Sequence, residues 1–399
     1  MKKISVIFGT RPEAIKLAPV ILALKQESLL FDCKVCVTAQ HRQMLDQVLQ
    51  VFDIIPDTDL NLMVQKQSLA EFSAKAIIAL DAYLSDEKPD LVIVQGDTST
   101  VFCAALSAFY NKIPVAHVEA GLRTHNIYSP WPEEINRSVT SRLTSLHFAP
   151  TELSKCNLLN EGIPESSIFV TGNTIIDALY YSLNKIESDP PELPSLIQEI
   201  VTRNDKIVLI TGHRRENFGQ GFENICMAIA DLAIKFPEVK FIYPVHLNPN
   251  VREPVYRILS NCANHNIHLI EPLNYLEFIF LMSHATLIIT DSGGIQEEAP
   301  GLGIPVLVLR EETERPEGLT SGNIVLVGTE YTEIVKKTEE FLRDENHTDS
   351  STNSNPFGNG NSAEIIVDII KSVLTPGRAL DPGSAPEGGG FTGSDLNSF

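Results

Sequence analysis

Charged and hydroxyl side chains recur directly after short apolar runs, a pattern that could hold an anion and move a proton. Ile4–Phe8 is followed by Gly9-Thr10-Arg11-Pro12-Glu13, with Lys16 about one turn further on. Glycine permits a tight turn, Pro12 suits the first helical position, and free amides at a helix start beside Arg11 favour anion contact. Leu91–Val94 leads into Gln95-Gly96-Asp97-Thr98, and Val115–Val118 into Glu119-Ala120-Gly121-Leu122-Arg123. A third acid stands in Pro130-Trp131-Pro132-Glu133-Glu134, where Pro132 opens a helix. Asp97 alone suits a cap for the helix from Thr98, and Glu133 alone suits a helix dipole. Glu119, between apolar neighbours and before a glycine, is harder to explain in that way. Three converging carboxylates would repel, raising at least one pKa towards neutrality and making an acid/base set. No His/Cys cluster at metal-ligand spacing accompanies them, so neither a metal nor a cofactor is expected.

The second half repeats the theme with cations. Ile207–Ile210 runs into Thr211-Gly212-His213-Arg214-Arg215-Glu216-Asn217, where an imidazole and two guanidiniums at a strand end point to an anion. Pro244-Val245-His246-Leu247-Asn248-Pro249 has a single histidine, equally compatible with a ligand or a structural role. In Thr290-Asp291-Ser292-Gly293-Gly294-Ile295-Gln296-Glu297-Glu298, a strand ends, a hydroxyl and two glycines follow, and a helix begins. Bare amides at the positive end of a helix suit a diphosphate, and Glu298 one turn in could reach ribose hydroxyls. The pattern is neither GxGxxG nor GxxxxGK[ST], so no dinucleotide fold or P-loop kinase is indicated. Arg310 and Arg315 follow the next strand.

Ligands of open α/β sheets bind beyond the carboxyl ends of the strands, so parallel strands must position these residues. Ile4–Phe8, Lys34–Thr38, Leu91–Val94, Val115–Val118 and Ile168–Thr171 read as buried strands. Ala14–Gln26, Met44–Phe52, Leu69–Leu84 and Ser99–Tyr110 read as helices between them. Glu187–Ser195, with its prolines, reads as a domain boundary. Beyond it the alternation restarts, with strands at Ile207–Ile210, Lys240–Pro244, Ile267–Ile270, Thr286–Ile289 and Val306–Leu309. The reading is α/β, two doubly wound units in tandem. Asp344–Asn361 reads as a loop, Ser362–Leu374 as a last helix, and Thr375–Phe399 as a disordered tail.

Composition agrees. The 399 residues are too many for one ordinary core, and 43% hydrophobic with 21% charged is ordinary for a globular protein. Lys and Arg number 31 against 51 Asp and Glu, a net charge of −20. Such a field repels a polyphosphate backbone, which excludes nucleic-acid binding as the main role. A small anion remains possible where local cations gather, with the surplus acid on outer helices. Cys33-Lys-Val-Cys36 lies in a strand-like run rather than at a helix start, so reduced structural thiols and a cytoplasmic location are expected. No run approaches the roughly 18 apolar residues of a membrane span.

Together, Gly9-Thr-Arg-Pro-Glu-Ala-Ile-Lys16, Thr38-Ala-Gln-His-Arg-Gln-Met-Leu45, His117-Val-Glu-Ala-Gly-Leu-Arg123 and Gly212-His-Arg-Arg-Glu-Asn217 resemble the non-hydrolysing UDP-N-acetylglucosamine 2-epimerases. Thr290–Pro300 and Glu314-Arg-Pro-Glu-Gly318 extend the resemblance, which runs from about residue 4 to 374. It implies a GT-B-like fold, two Rossmann-like domains facing a cleft, with residues 1–172 and 173–361 as the domains and helix 362–374 packed on the first. It also implies cofactor-free inversion at the sugar C2. The C2 proton is removed and UDP expelled to give a 2-acetamidoglucal, then UDP adds back as C2 is reprotonated on the other face. By position, Asp97, Glu119, Glu133 and His213 match the catalytic set. Arg11, His246, Ser292, Gly293, Gly294 and Glu298 match UDP contacts, Phe278 the aromatic beside uracil, and Lys16 and Arg315 polar residues of the sugar–phosphate site.

The resemblance further implies activation by a second UDP-GlcNAc, in a pocket matched by Gln40, His41, Gln43 and Arg214. Lys66 stands where an arginine is expected, keeping charge but losing a bidentate fork, so weaker activation is expected. Asn359 replaces a common aspartate, and the tail has no counterpart. A homodimer and a role in surface-polysaccharide precursor supply are also implied. The competing readings are an epimerase for a related UDP-2-acetamido sugar, a GT-B glycosyltransferase, a hydrolysing relative and a nucleotide-sugar sensor. A glycosyltransferase needs an acceptor groove and one base rather than three clustered acids.

Overall fold

The computed structural model describes residues 1–38, 42–64, 67–260, 265–320, 323–343 and 355–375. The chain forms two compact units, residues 1–178 with 358 onward, and residues 179–357. The division falls inside the helix Thr174–Ser188 rather than in the proline-bearing stretch 187–195. No glycine or proline interrupts that helix, so it runs continuously through the division.

In the first unit the strands are β1 (Lys2–Phe8), β2 (Phe31–Val37), β3 (Thr58–Asp59), β4 (Leu91–Gln95), β5 (Val115–Val118), β6 (Leu146–Ala149) and β7 (Ile168–Val170). They pair in the order β3-β2-β1-β4-β5-β6-β7, all parallel. Ile4, Val6, Ile7 and Phe8 of β1 are fully buried, as are Val92, Ile93 and Val94 of β4. A strand covered on both faces reads as a continuous apolar run, which made these two legible. Strands β3 and β6 had no such signal: β3 has only two residues, and Leu-His-Phe-Ala of β6 lacks a β-branched side chain.

In the second unit the strands are β8 (Ile207–Thr211), β9 (Lys240–Pro244), β10 (Ile267–Ile270), β11 (Leu287–Thr290), β12 (Val306–Val308) and β13 (Ile324–Leu326). Their order is β10-β9-β8-β11-β12-β13, again all parallel. Each unit therefore has the Rossmann-like strand order, and its switch point lies between two adjacent strands. Those strands are β1 and β4 in the first unit, and β8 and β11 in the second. A pair of such units in one chain is what the GT-B-like expectation calls for.

Several expectations meet a definite outcome here. The helix after β1 is Arg11–Gln26, closed by a capping box in which Thr10 and Glu13 exchange bonds. Gly9 was read as a turn glycine, but its backbone does not adopt a positive φ. Its requirement is close approach: a Cβ would stand 2.2 Å from Thr38 Oγ1 and 2.5 Å from Thr100 Oγ1. Thr98, not Asp97, caps the helix Ser99–Tyr110, accepting the Val101 amide at 3.3 Å. Helix Ser362–Leu374 joins the first unit, with Lys371 on Glu27 at 2.9 Å and the Ala363 amide on Asp177 at 2.8 Å. Cys33 and Cys36 lie on β2 as free thiols, and burial pushes the Cys33 thiol up to about 12. Cys262, most of loop 344–361 and the tail beyond 375 lie outside the described residues. No helix among the described residues is long and apolar enough to cross a membrane.

His117 and His147 are register partners on β5 and β6, both buried. Burial holds His117 down to about 3 and also lowers His147, so both fold neutral. The unfolded chain takes up these protons at an ordinary histidine value of about 6.5. The fold therefore loses stability as pH falls below about 6.5, by about 1.4 kcal/mol per pH unit for each such histidine. His117→Asn should make the urea-unfolding free energy fall less steeply between pH 6 and pH 4. An unchanged slope would show that His117 does not fold neutral. Gly9→Ala should cost about 1–3 kcal/mol in the same assay, because the buried threonine hydroxyls have to move.

Candidate active site

The first unit builds its site from the loops after β1, β4, β5 and β7. Glu119 follows β5 with φ +66, and its side chain is buried. Lys16 Nζ from the helix Arg11–Gln26 donates to Glu119 Oε1 at 2.5 Å, with side-chain exposures of 9% and 6%. Gln95 Nε2, at the end of β4, donates to Glu119 Oε2, and Asn173 Nδ2 donates to Oε1 at 3.2 Å. Lys16, expected to line the sugar–phosphate site, is thus also the counter-ion of a candidate catalytic acid.

Asp97, after β4, meets a different cation. Arg137, on the helix Glu133–Leu143, donates through Nη2 at 2.5 Å and Nε at 3.2 Å to Asp97 Oδ2. Its Nη1 reaches Glu134 Oε2 at 3.2 Å, and Asn136 Nδ2 donates to the Asp97 carbonyl at 2.9 Å. Glu134 also accepts the amides of Thr124 and His125. Glu133 is the half-buried first residue of that helix. Lys16 is thus set against Glu119, and Arg137 against both Asp97 and Glu134. Burial pushes the Glu13 carboxyl upward; it accepts the Gly9 amide at 3.0 Å, the Thr10 amide at 2.6 Å and the Thr98 hydroxyl at 2.7 Å. Glu13 so ties the loop bearing Arg11 to the loop bearing Asp97. His117 Nε2 donates to the Gly96 carbonyl at 2.7 Å and fixes the same loop from β5.

The second unit centres on Asp291, fully buried after β11. Its carboxylate accepts the amides of His213 and Arg214, each at 2.9 Å, and Asn217 Nδ2 at 3.2 Å. His213 Nδ1 lies 3.5 Å from Asp291 Oδ1, and its ring stacks on His246 with centroids 5.5 Å apart. Burial, with Arg214 nearby, holds the His213 pKa below its ordinary value against the opposing pull of Asp291. His246 Nδ1 accepts the Asn248 amide at 3.1 Å, which leaves Nε2 to carry the proton of the neutral ring.

Ser292 precedes the helix Gly293–Gly301, whose first amides have no partners within the helix. Arg315 lies across its start: a Cβ on Gly293 would stand 2.7 Å from Arg315 Nη1. Glu297, buried on the same helix, takes Arg315 Nε at 2.5 Å. A Cβ on Gly294 would lie 3.8 Å from Glu298 Oε2 and 4.0 Å from Ser292 Oγ, so these three candidates cluster. Tyr275 donates to Glu298 Oε1 at 3.4 Å, and Phe278 is half-buried on the same helix as Tyr275. A helix start joined by a buried guanidinium is suited to an anion, and the adjoining carboxylate to hydroxyls.

Gln40, His41 and Lys66 lie outside the described residues, and Gln43 falls in the helix Arg42–Val51. Arg214 is half-buried beside His213. Among the described residues no group of three or more His, Cys, Asp or Glu is arranged to hold a metal ion. Gln95, Asn173, Arg137, Asp291, Glu297 and Tyr275 were not singled out from sequence. Asn173 directly follows β7 and Gly172, so the strand-end rule already contained the signal that would have found it.

A family model described as UDP-N-acetylglucosamine 2-epimerase matches residues 23–371. The UDP-N-acetylglucosamine 2-epimerase of Salmonella typhimurium is 53% identical over 373 residues, covering 93% of this chain and 98% of that protein. The crystal structure of the Neisseria meningitidis UDP-GlcNAc 2-epimerase bound to UDP-GlcNAc is 52% identical with a TM-score of 0.84, covering 92% of this chain and 99% of that one. The Methanocaldococcus jannaschii UDP-GlcNAc 2-epimerase in complex with UDP-GlcNAc and UDP is 39% identical with a TM-score of 0.78, over 92% and 99% of the two chains. With the family model, the sequence identity and the fold agreeing along nearly the whole chain, this protein belongs to the UDP-N-acetylglucosamine 2-epimerase family.

Proposed function

We propose that this protein interconverts UDP-N-acetylglucosamine and UDP-N-acetylmannosamine without hydrolysis, by elimination and re-addition of UDP. A base takes the C2 proton, the C1–O bond breaks, and UDP leaves a 2-acetamidoglucal. UDP then re-forms the C1–O bond while C2 accepts a proton on the opposite face. The balance needs no oxidant and no cofactor. The observation that carries this reading is the pair of carboxylates after neighbouring strands, Asp97 after β4 and Glu119 after β5, each held by its own cation. Two fixed carboxyl groups suit proton removal and return, with Glu133 and His213 completing the acid/base set. For UDP, the reading assigns the amides of Gly293 and Gly294, Ser292, Arg11, His246, Glu298, Arg315 and the Phe278 ring. A glycosyltransferase would use one base, and two paired acids favour the epimerase.

The same reading includes a cytoplasmic homodimer, consistent with free thiols at Cys33, Cys36, Cys103, Cys156 and Cys226. It also includes a second UDP-GlcNAc as activator, held by Gln40, His41, Gln43, Lys66 and Arg214.

Incubation with UDP-GlcNAc in D2O should place deuterium at C2 in both epimers, read by NMR. Interconversion that keeps the original hydrogen would refute elimination. Glu119→Gln should lower kcat by roughly 100-fold or more, the range for a positioned acid or base. For the activator, the rate should rise sigmoidally with UDP-GlcNAc, and conversion of UDP-ManNAc should accelerate when a little UDP-GlcNAc is added. A hyperbolic curve with no such response would remove the regulatory site.

A further inference from the structure

Glu119 is an L-residue in the left-handed region, φ +66, at the end of a buried strand. That conformation is costly for a residue with a Cβ and persists only where surrounding contacts enforce it. The carboxylate accepts from Lys16, Gln95 and Asn173. Lys16 comes from the helix after β1 and Gln95 from the end of β4, the two strands that flank the switch point. Asn173 is different, because it arrives from the far side of the sheet after β7 and is only 2% exposed. Its two side-chain ends are both committed. Oδ1 accepts the Ile175 amide at 3.1 Å, the bond of a helix N-cap, while Nδ2 donates to Glu119 Oε1 at 3.2 Å. The start of the helix Thr174–Ser188 therefore sets the direction of the donor, and the donor sets the carboxylate.

We propose that Asn173 is a positioning residue that aims Glu119, holding its carboxylate in the rotamer that proton transfer at C2 requires. The proposal rests on the assignment of Glu119 to the acid/base set. It deepens that assignment by naming a residue that never touches the substrate.

The two ends of Asn173 allow its roles to be separated. Asn173→Asp keeps an Oδ1 acceptor for the Ile175 amide, and aspartate is among the best N-caps, yet it loses the donor to Glu119. Asn173→Ser also caps well, adds no charge and is too short to reach Glu119, so it serves if the aspartate variant does not fold. Asn173→Asp sets a second buried carboxylate against Glu119 and should lower the thermal midpoint, whereas Asn173→Ser should leave it within a few degrees of the wild type. Displacing a reacting group costs up to about 100-fold, so kcat for UDP-GlcNAc epimerisation should fall about 10- to 100-fold. KM and the calorimetric Kd for UDP should stay within about twofold, as expected when only transition-state geometry is lost. Wild-type kcat in Asn173→Ser would overturn the proposal, as would a kcat loss in that variant matched by an equal loss of UDP affinity or of thermal midpoint. A wild-type protein that binds UDP but does not turn over UDP-GlcNAc would instead overturn the function proposed above.

Discussion

A carboxylate buried beyond the end of a parallel strand is unstable by several kcal/mol unless donors or a cation surround it. Glu119 and Asp291 are both in that situation, and much of the architecture near them follows from satisfying it. The strand backbone cannot supply the donors, since its groups are engaged in the ladder. They come from side chains and amides at strand ends and in the loops and helices that follow, which converge where the strand order reverses, between β1 and β4 and between β8 and β11.

The two units meet the requirement in different ways. The first uses cations: Lys16 for Glu119, and Arg137 for Asp97 and Glu134. The second surrounds Asp291 with backbone amides and one asparagine, and sets the start of a helix directly behind it. Lys16 and Arg137 hold the carboxylates of Glu119, Asp97 and Glu134 in fixed positions. Asp291 gives a rigid loop that presents His213 and Arg214 side by side. Arg315 adds a guanidinium held by Glu297 at the helix start, where Gly293 leaves room for it. Lys16, Arg137 and Arg315 are each buried and paired with carboxylates in fixed positions, where bulk salt screens them little.

Much of this was legible in the sequence, because its signals are local. Apolar runs such as Val-Ile-Val in β4, followed at once by Gln-Gly-Asp, mark a buried strand and its functional loop within a few residues. The helix start after Ser292 and the cation-rich loop after β8 are legible for the same reason. Motif resemblance then supplied the chemistry. Short strands without a β-branched signature escaped, as β6 shows, and so did the point where the units divide, which lies inside an unbroken helix.

What the sequence by itself determined is therefore the class of fold, the strand-end inventory and the family. Only the tertiary structure decided which side chains meet. Asn173 and Glu119 are 54 residues apart, and Lys16 and Glu119 are 103 apart. No spacing rule connects such pairs, since their contact depends on the order in which strands lie in the sheet. Strand order is fixed by packing of the whole unit, and it is that packing which turns isolated acids into paired ones and a helix cap into a support for Glu119.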